Sequence, residues 1–139
     1  MVFTQNGRGF AGATSARYKV INNTVTLPSG TNQNIGCGAG VPCGENGISV
    51  YADEAATTCA AVSGNTVYDV ASFTGGFDVY LAERVGPPAG AQVTIESGAI
   101  GVPPAAVTYI NANNTLAGAN KTADEGANVS TVVSCGTFP

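Results

Sequence analysis

Residues 17–27 read RYKVINNTVTL, and the reading of this stretch decides the fold class. Tyr18 to Ile21 and Thr24 to Leu27 are rich in β-branched and aromatic side chains, which fit a pleated, half-buried surface. Asn22-Asn23 lies between them, and Asn tolerates the positive φ of a two-residue turn. The stretch therefore predicts a β-hairpin.

Working outward, further strand candidates occur at 48–52 (ISVYA), 66–71 (TVYDVA), 77–85 (FDVYLAERV), 91–97 (AQVTIES), 106–111 (AVTYIN) and 128–134 (NVSTVVS). In 77–85, Phe77, Val79 and Leu81 alternate with Asp78, Tyr80 and Ala82, the period of two of a half-buried strand. Turn-forming residues such as Gly86-Pro87-Pro88-Ala89-Gly90 separate the candidates. Residues 52–62 (ADEAATTCAAV) allow a short helix as second reading, which Thr57 and Thr58 weaken. Short strands between turn signals predict an all-β protein, a small β-sandwich or β-barrel-like domain.

Residues 1–16 are polar, Gly-rich and aperiodic, and are expected to form an extended N-terminal arm. Residues 17–139 then form a single β-rich domain. Within it, 28–47 (PSGTNQNIGCGAGVPCGENG) is a long loop dense in Gly and Asn, of a length that usually serves a contact or function. Gly40-Val41-Pro42 and the Val50-Tyr51 segment have an echo in Gly101-Val102-Pro103 and Thr108-Tyr109, which the abundance of Gly, Ala and Thr accounts for.

The chain lacks histidine and tryptophan, and charged residues make up 10% of it, against a usual ~25%. Chemistry near neutral pH ordinarily draws on histidine, an activated Cys or Lys, or clustered carboxylates. A Ser-His-Asp triad is excluded, and no G-x-S-x-G elbow or phosphate-binding loop occurs. Asp53-Glu54 and Asp124-Glu125 are the adjacent acids that could serve glycoside hydrolysis or hold calcium. Both lie in polar, turn-like segments, where solvated charge is the ordinary explanation. No enzyme activity, catalytic residue, metal or cofactor is expected. A surface so poor in charge is expected to be covered by neighbours.

Charge is also divided along the chain. Arg8, Arg17 and Lys19 give residues 1–44 a charge of +3, with no acid before Glu45. Residues 45–139 hold two basic and nine acidic side chains. A basic arm suits an acidic protein neighbour, while three cations are too few for nucleic acid. Phe3, Arg8, Phe10, Arg17 and Lys19 are the expected partner-binding residues, the aromatics for burial and the cations for acidic groups.

Cys37, Cys43, Cys59 and Cys135 allow three disulfide pairings. Cys37–Cys43 across Gly-Ala-Gly-Val-Pro, with Cys59–Cys135, is the preferred set. Free, buried cysteines are the alternative in a reducing compartment. Zinc would need all four cysteines, and their spacing lacks the short C-x2-4-C knuckles that hold it. The sequons at Asn22, Asn113, Asn120 and Asn128 are expected by chance in a chain so rich in Asn and Thr.

No apolar run reaches the ~20 residues of a membrane helix, and no membrane contact is expected. The N-terminus lacks the charged and apolar regions of a signal peptide. With Met1 native, the chain is expected to be made in the host cytoplasm; with Met1 a cloning start, secretion returns.

Residues 86–134 resemble the head decoration, or cement, proteins of tailed bacteriophages. The shared order runs through Gly90 to Ile95, Gly98, Val107 to Asn111, Asn114-Thr115 and Val129 to Val133. The cysteines and the 28–47 loop depart from the pattern. The resemblance implies a non-enzymatic virion protein on the capsid surface. It would bind the major capsid protein lattice and copies of itself, often as trimers, and bring no catalytic residues. The competing expectation is a secreted, disulfide-bonded β-domain: an adhesin, an extracellular filament subunit or an effector.

Overall fold

The computed structural model describes residues 2–6, 14–26, 46–68, 77–84, 90–102, 104–117, 122–125 and 128–137. The chain is mostly strand, as expected. Its elements are β1 (Val2–Asn6), β2 (Ser15–Ile21), β3 (Thr24–Thr26), β4 (Ile48–Asp53), β5 (Thr57–Ser63), β6 (Thr66–Tyr68), β7 (Val79–Arg84), β8 (Gln92–Glu96), α1 (Ala106–Asn113), β9 (Thr115–Leu116), β10 (Thr122–Glu125) and β11 (Val129–Val132).

Every strand pair is parallel. Sheet A has the order β1-β4-β7-β10, sheet B β11-β8-β5-β2, and sheet C β3-β6-β9. The chain visits A, B and C in turn and then begins again one strand further along. This is a parallel β-solenoid of three full coils and part of a fourth, rather than the sandwich or small barrel expected from hairpins.

The hairpin predicted at 17–27 is corrected. β2 pairs with β5 and β3 with β6, not with each other. A two-residue hairpin of the favoured type needs positive φ at both central residues. Here Asn22 has φ 57° and Asn23 is not in that region. One left-handed residue bends the chain from sheet B into sheet C without reversing it.

The same corner recurs. Asn22-Asn23-Thr24-Val25, Gly64-Asn65-Thr66-Val67 and Asn113-Asn114-Thr115-Leu116 stack on one another. The Asn23 backbone N–H and side-chain amide both donate to Asn65 Oδ1 at 3.0 Å. Asn65 does the same to Asn114 Oδ1, at 3.0 Å from its backbone and 2.8 Å from its side chain. Asn65 also donates to the Val20 carbonyl at 2.8 Å, and is 0% exposed. A buried amide is tolerable only when its donors and acceptors are filled, and the ladder fills them. Two of the four sequons are this corner.

Inward-facing residues repeat in register down each sheet. Ile48 lies beside Val79, Val50 beside Leu81, and Val25, Val67 and Leu116 form a row in sheet C. Tyr18, Ala60 and Ile95 do the same in sheet B. These rows form one core, packed as closely as stacked parallel strands about 4.8 Å apart allow.

Two further expectations are corrected. Residues 106–111 are helical, not a strand. Ala106 and Ile110, one helical turn apart, are both buried against the sheets. The Asn113 and Asn114 amides donate back to the Tyr109 and Ile110 carbonyls at 2.8 and 2.9 Å, which closes the C-terminal end. Residues 57–62, in the stretch given a short helix as second reading, belong to β5, an inner strand of sheet B. The supposed internal echo pairs strand β4 with helix α1, so it is no structural repeat.

Candidate interaction surface

Of the expected N-terminal arm, residues 2–6 and 15–16 are strand, and residues 7–13 lie outside the described residues. Residues 2–6, with Phe3 opposite Ser49, form the edge strand β1 of sheet A. Arg17 and Lys19 lie on β2, the edge strand of sheet B, with exposed side chains. Arg8 and Phe10 lie outside the described residues. The structure thus places Arg17 and Lys19 together on one sheet, and Phe3 on another.

Arg17 has a partner within its own chain. In sheet B, Arg17, Cys59, Thr94 and Ser130 form one row across the four strands. The C-terminal tail runs back over this row. Ser97 and Gly98 backbone N–H groups donate to the Val132 and Val133 carbonyls at 2.8 and 3.0 Å. The Cys135 N–H donates to Glu96 Oε2 at 2.7 Å. Cys135 is then bonded to Cys59, with Cα atoms 5.7 Å apart. Beyond it, Arg17 Nη1 donates to the Thr137 carbonyl at 3.2 Å.

The tail is therefore a strap that crosses β8, β5 and β2 in sequence and ties the last coil to the first. The Cys59–Cys135 half of the preferred pairing is present, and Cys37 and Cys43 lie outside the described residues. A cross-link closing a loop of this length, a separation of 76 residues, contributes about 4 kcal/mol in the chain-entropy account.

The adjacent acids fall on one sheet but apart. Asp53 ends β4, opposite Arg84 of β7, and is buried. Glu54 follows at φ 57°, in the turn closed by the Ala56 N–H on the Asp53 carbonyl. Asp124 and Glu125 lie on β10, opposite Leu81 and Ala82. Strand β7 separates the two pairs by two strand spacings, about 10 Å across the sheet, and the register sets Asp124 and Glu125 two to three residues away from Asp53 along the strands. Among the described residues, no group of three or more metal-ligating side chains is gathered.

Among the described residues, the most exposed apolar feature was not singled out from the sequence. Between β8 and α1 the chain leaves the sheets. Ile100 and Val102 are each 96% exposed at its tip. The tip turns through Gly98 (φ 65°) and Gly101 (φ 106°). Its base is held: Ser97 Oγ donates to the Val132 carbonyl at 3.0 Å, and Thr131 Oγ1 to the Pro104 carbonyl at 2.6 Å. Residues 97–120 contain no charged side chain. The sequence signal was that uncharged run, with two branched aliphatics on either side of Gly101.

Behind the tip, Tyr109 of α1 packs partly against the core. Its hydroxyl is held above the ordinary tyrosine pKa, first by burial and second by the negative charge of Glu96.

Comparison with known protein families, with curated proteins and with solved structures finds no match.

Proposed function

We propose that this chain is a non-enzymatic structural protein that docks onto a protein shell, in the manner of a virion decoration protein. Its partners are the shell protein and copies of itself, and it acts at the capsid surface without a cofactor. The observation that carries the reading is the tip at Ile100 and Val102. Isolated surface aliphatics are ordinary. Two almost wholly exposed ones, two residues apart on a braced loop in an uncharged stretch, form a contact that another protein would cover. Burying both side chains contributes roughly 3–6 kcal/mol at most. The lack of any charged side chain in residues 97–120 favours a neutral apolar socket over nucleic acid or an anionic membrane.

The strap supports the same reading. It locks four strands of sheet B, so the loop is presented on a stiff base. Such preorganisation lowers the ordering cost of docking.

The Cys59–Cys135 disulfide also favours a second reading, a secreted β-domain such as an adhesin or filament subunit, because disulfides persist in oxidising compartments.

Particles that carry the chain, imaged by electron cryomicroscopy, should show symmetric copies seated through the Ile100–Val102 tip. The I100S/V102S double variant should keep the wild-type melting temperature and lose particle occupancy. Full occupancy in that variant would refute the docking role. Recovery of the chain as a particle-free secreted species would favour the second reading.

A further inference from the structure

A solenoid has two ends, and here they differ. At one end β1, β2 and β3 are the outermost strands of sheets A, B and C. At the other end β10 and β11 are outermost in sheets A and B, while sheet C stops one coil earlier at β9. Among the described residues, no strand pairs with the outer side of any of these six. An outermost strand presents a row of backbone N–H and C=O groups to whatever lies beyond it.

The ends are complementary rather than alike. All pairing in the chain is parallel, so a strand added in the same sense at either end continues the sheet. Placing two first coils together would reverse the strands. The last coil of one copy, by contrast, meets the first coil of another in the sense already used between β1 and β4 or β7 and β10. Charge points the same way. Residues 1–26 hold Arg8, Arg17 and Lys19 and no acid, whereas residues 122–139 hold Asp124 and Glu125 and no base.

We infer that copies of this chain stack head to tail, with β1 and β2 of one copy adding in parallel to β10 and β11 of the next. The inference deepens the self-association in the proposed function and rests on it; the shell contact through Ile100 and Val102 is separate. The contact is heterologous, so it propagates into open filaments or closes into a ring, according to the rotation between copies. Sheet C does not take part directly, because its missing last strand leaves a step. With four residues in each of β10 and β11, the paired edge is short and opposite charge is a large share of the attraction. Association is therefore concentration-dependent and weakened by salt.

The test is sedimentation velocity of the full chain over a range of concentrations at low and high salt. Wild type should sediment faster as concentration rises, and salt should suppress this. S15E/K19E removes the net positive charge of the first coil, using two exposed positions of β2. D124K/E125K makes the last coil basic. Each variant alone should associate about tenfold or more weakly than wild type, since S15E/K19E loses the opposite-charge attraction and D124K/E125K brings like charges together. An equimolar mixture should regain a 1:1 complex, because the unchanged basic head of D124K/E125K can meet the unchanged acidic tail of S15E/K19E. A mixture that stays monomeric, with both variants folded by circular dichroism, would overturn the inference. If D124K/E125K does not fold, wild type decides: a monomer at every concentration in low salt overturns the inference equally. A monomeric wild type that still occupies particles sinks stacking alone. Stacking that survives in I100S/V102S while particle occupancy stays full sinks the shell reading alone.

Discussion

The chain crosses from sheet B to sheet C in the second coil within two residues, Gly64 and Asn65; in the third coil it takes residues 97–114. Both crossings end by delivering an asparagine to the same ladder. The short one is sealed, with Asn65 wholly buried, while the long one carries Ile100 and Val102 almost wholly exposed. The corner is thus fixed by backbone hydrogen bonding, and the length of chain that reaches it is free to vary. Stability is concentrated where the asparagines stack, and the surface for partners is placed where the chain detours.

The largest expected effect tests that division directly. Asn65→Ala removes the acceptor for the Asn23 N–H and the donors to the Val20 carbonyl and Asn114 Oδ1. Two or more buried polar groups are left unsatisfied, each costing ~1–3 kcal/mol. The expected loss is roughly 3–5 kcal/mol, read as a fall in the urea midpoint. The loop variant I100S/V102S should leave that midpoint in place. Equal losses at the two sites would break the comparison.

A pair of glycines sharpens it. Gly64 and Gly98 have nearly the same φ, 67° and 65°. A Cβ at Gly64 would run into Asn22 Oδ1, whereas at Gly98 nothing lies within 4 Å. Gly98→Ala therefore carries only the left-handed backbone penalty, about 1 kcal/mol. Gly64→Ala adds the collision within the ladder and should cost about 2–3 kcal/mol in all. The difference between the two denaturation midpoints isolates the packing of the corner from its backbone strain.

How much of this was legible follows from what each signal is made of. Strand positions at 48–52, 77–85, 91–97 and 128–134 were readable as short β-branched and aromatic runs between turn signals, with a period of two in 77–85. The sense of pairing was not, since alternation is the same in parallel and antiparallel strands. The information lay in Asn-Thr recurring before a branched apolar residue at 23–25, 65–67 and 114–116. The intervals of 42 and 49 residues between these corners differ because α1 and its loop are inserted. That irregular spacing hid the repeat, and two of its members were read as chance sequons. At 106–111, β-branched residues and Tyr109 suggested a strand, but burial of Ala106 and Ile110 on one helical face outweighed that weak propensity. The tail strap depends on Cys59, Glu96 and Arg17 sharing one side of sheet B, which no local pattern records. Of the site residues, the cysteine pair was readable from the sequence. The exposed tip was present as an uncharged run whose meaning depended on its leaving the core.

The smallest effect belongs to the inserted crossing and separates its two halves, the free tip and the helix that returns to the ladder. Tyr109 is partly packed against the core, and its folded pKa is raised, chiefly by burial and then by Glu96. A raised folded pKa favours the neutral hydroxyl in the native state. Its stabilising contribution is complete below the unfolded value near 10 and is lost as pH climbs through the folded value. Melting temperature should therefore fall more steeply above about pH 10 in wild type than in Tyr109→Phe, which has no proton to lose there. Below pH 9 the two curves should run parallel. Glu96→Gln should shift the wild-type break slightly toward lower pH, because it removes the second cause while leaving burial, the larger one, in place. If Tyr109→Phe breaks at the same pH as wild type, the helix is as loosely held as the tip, and the contrast between a sealed corner and a free detour would begin at Ser97 rather than at Ile100.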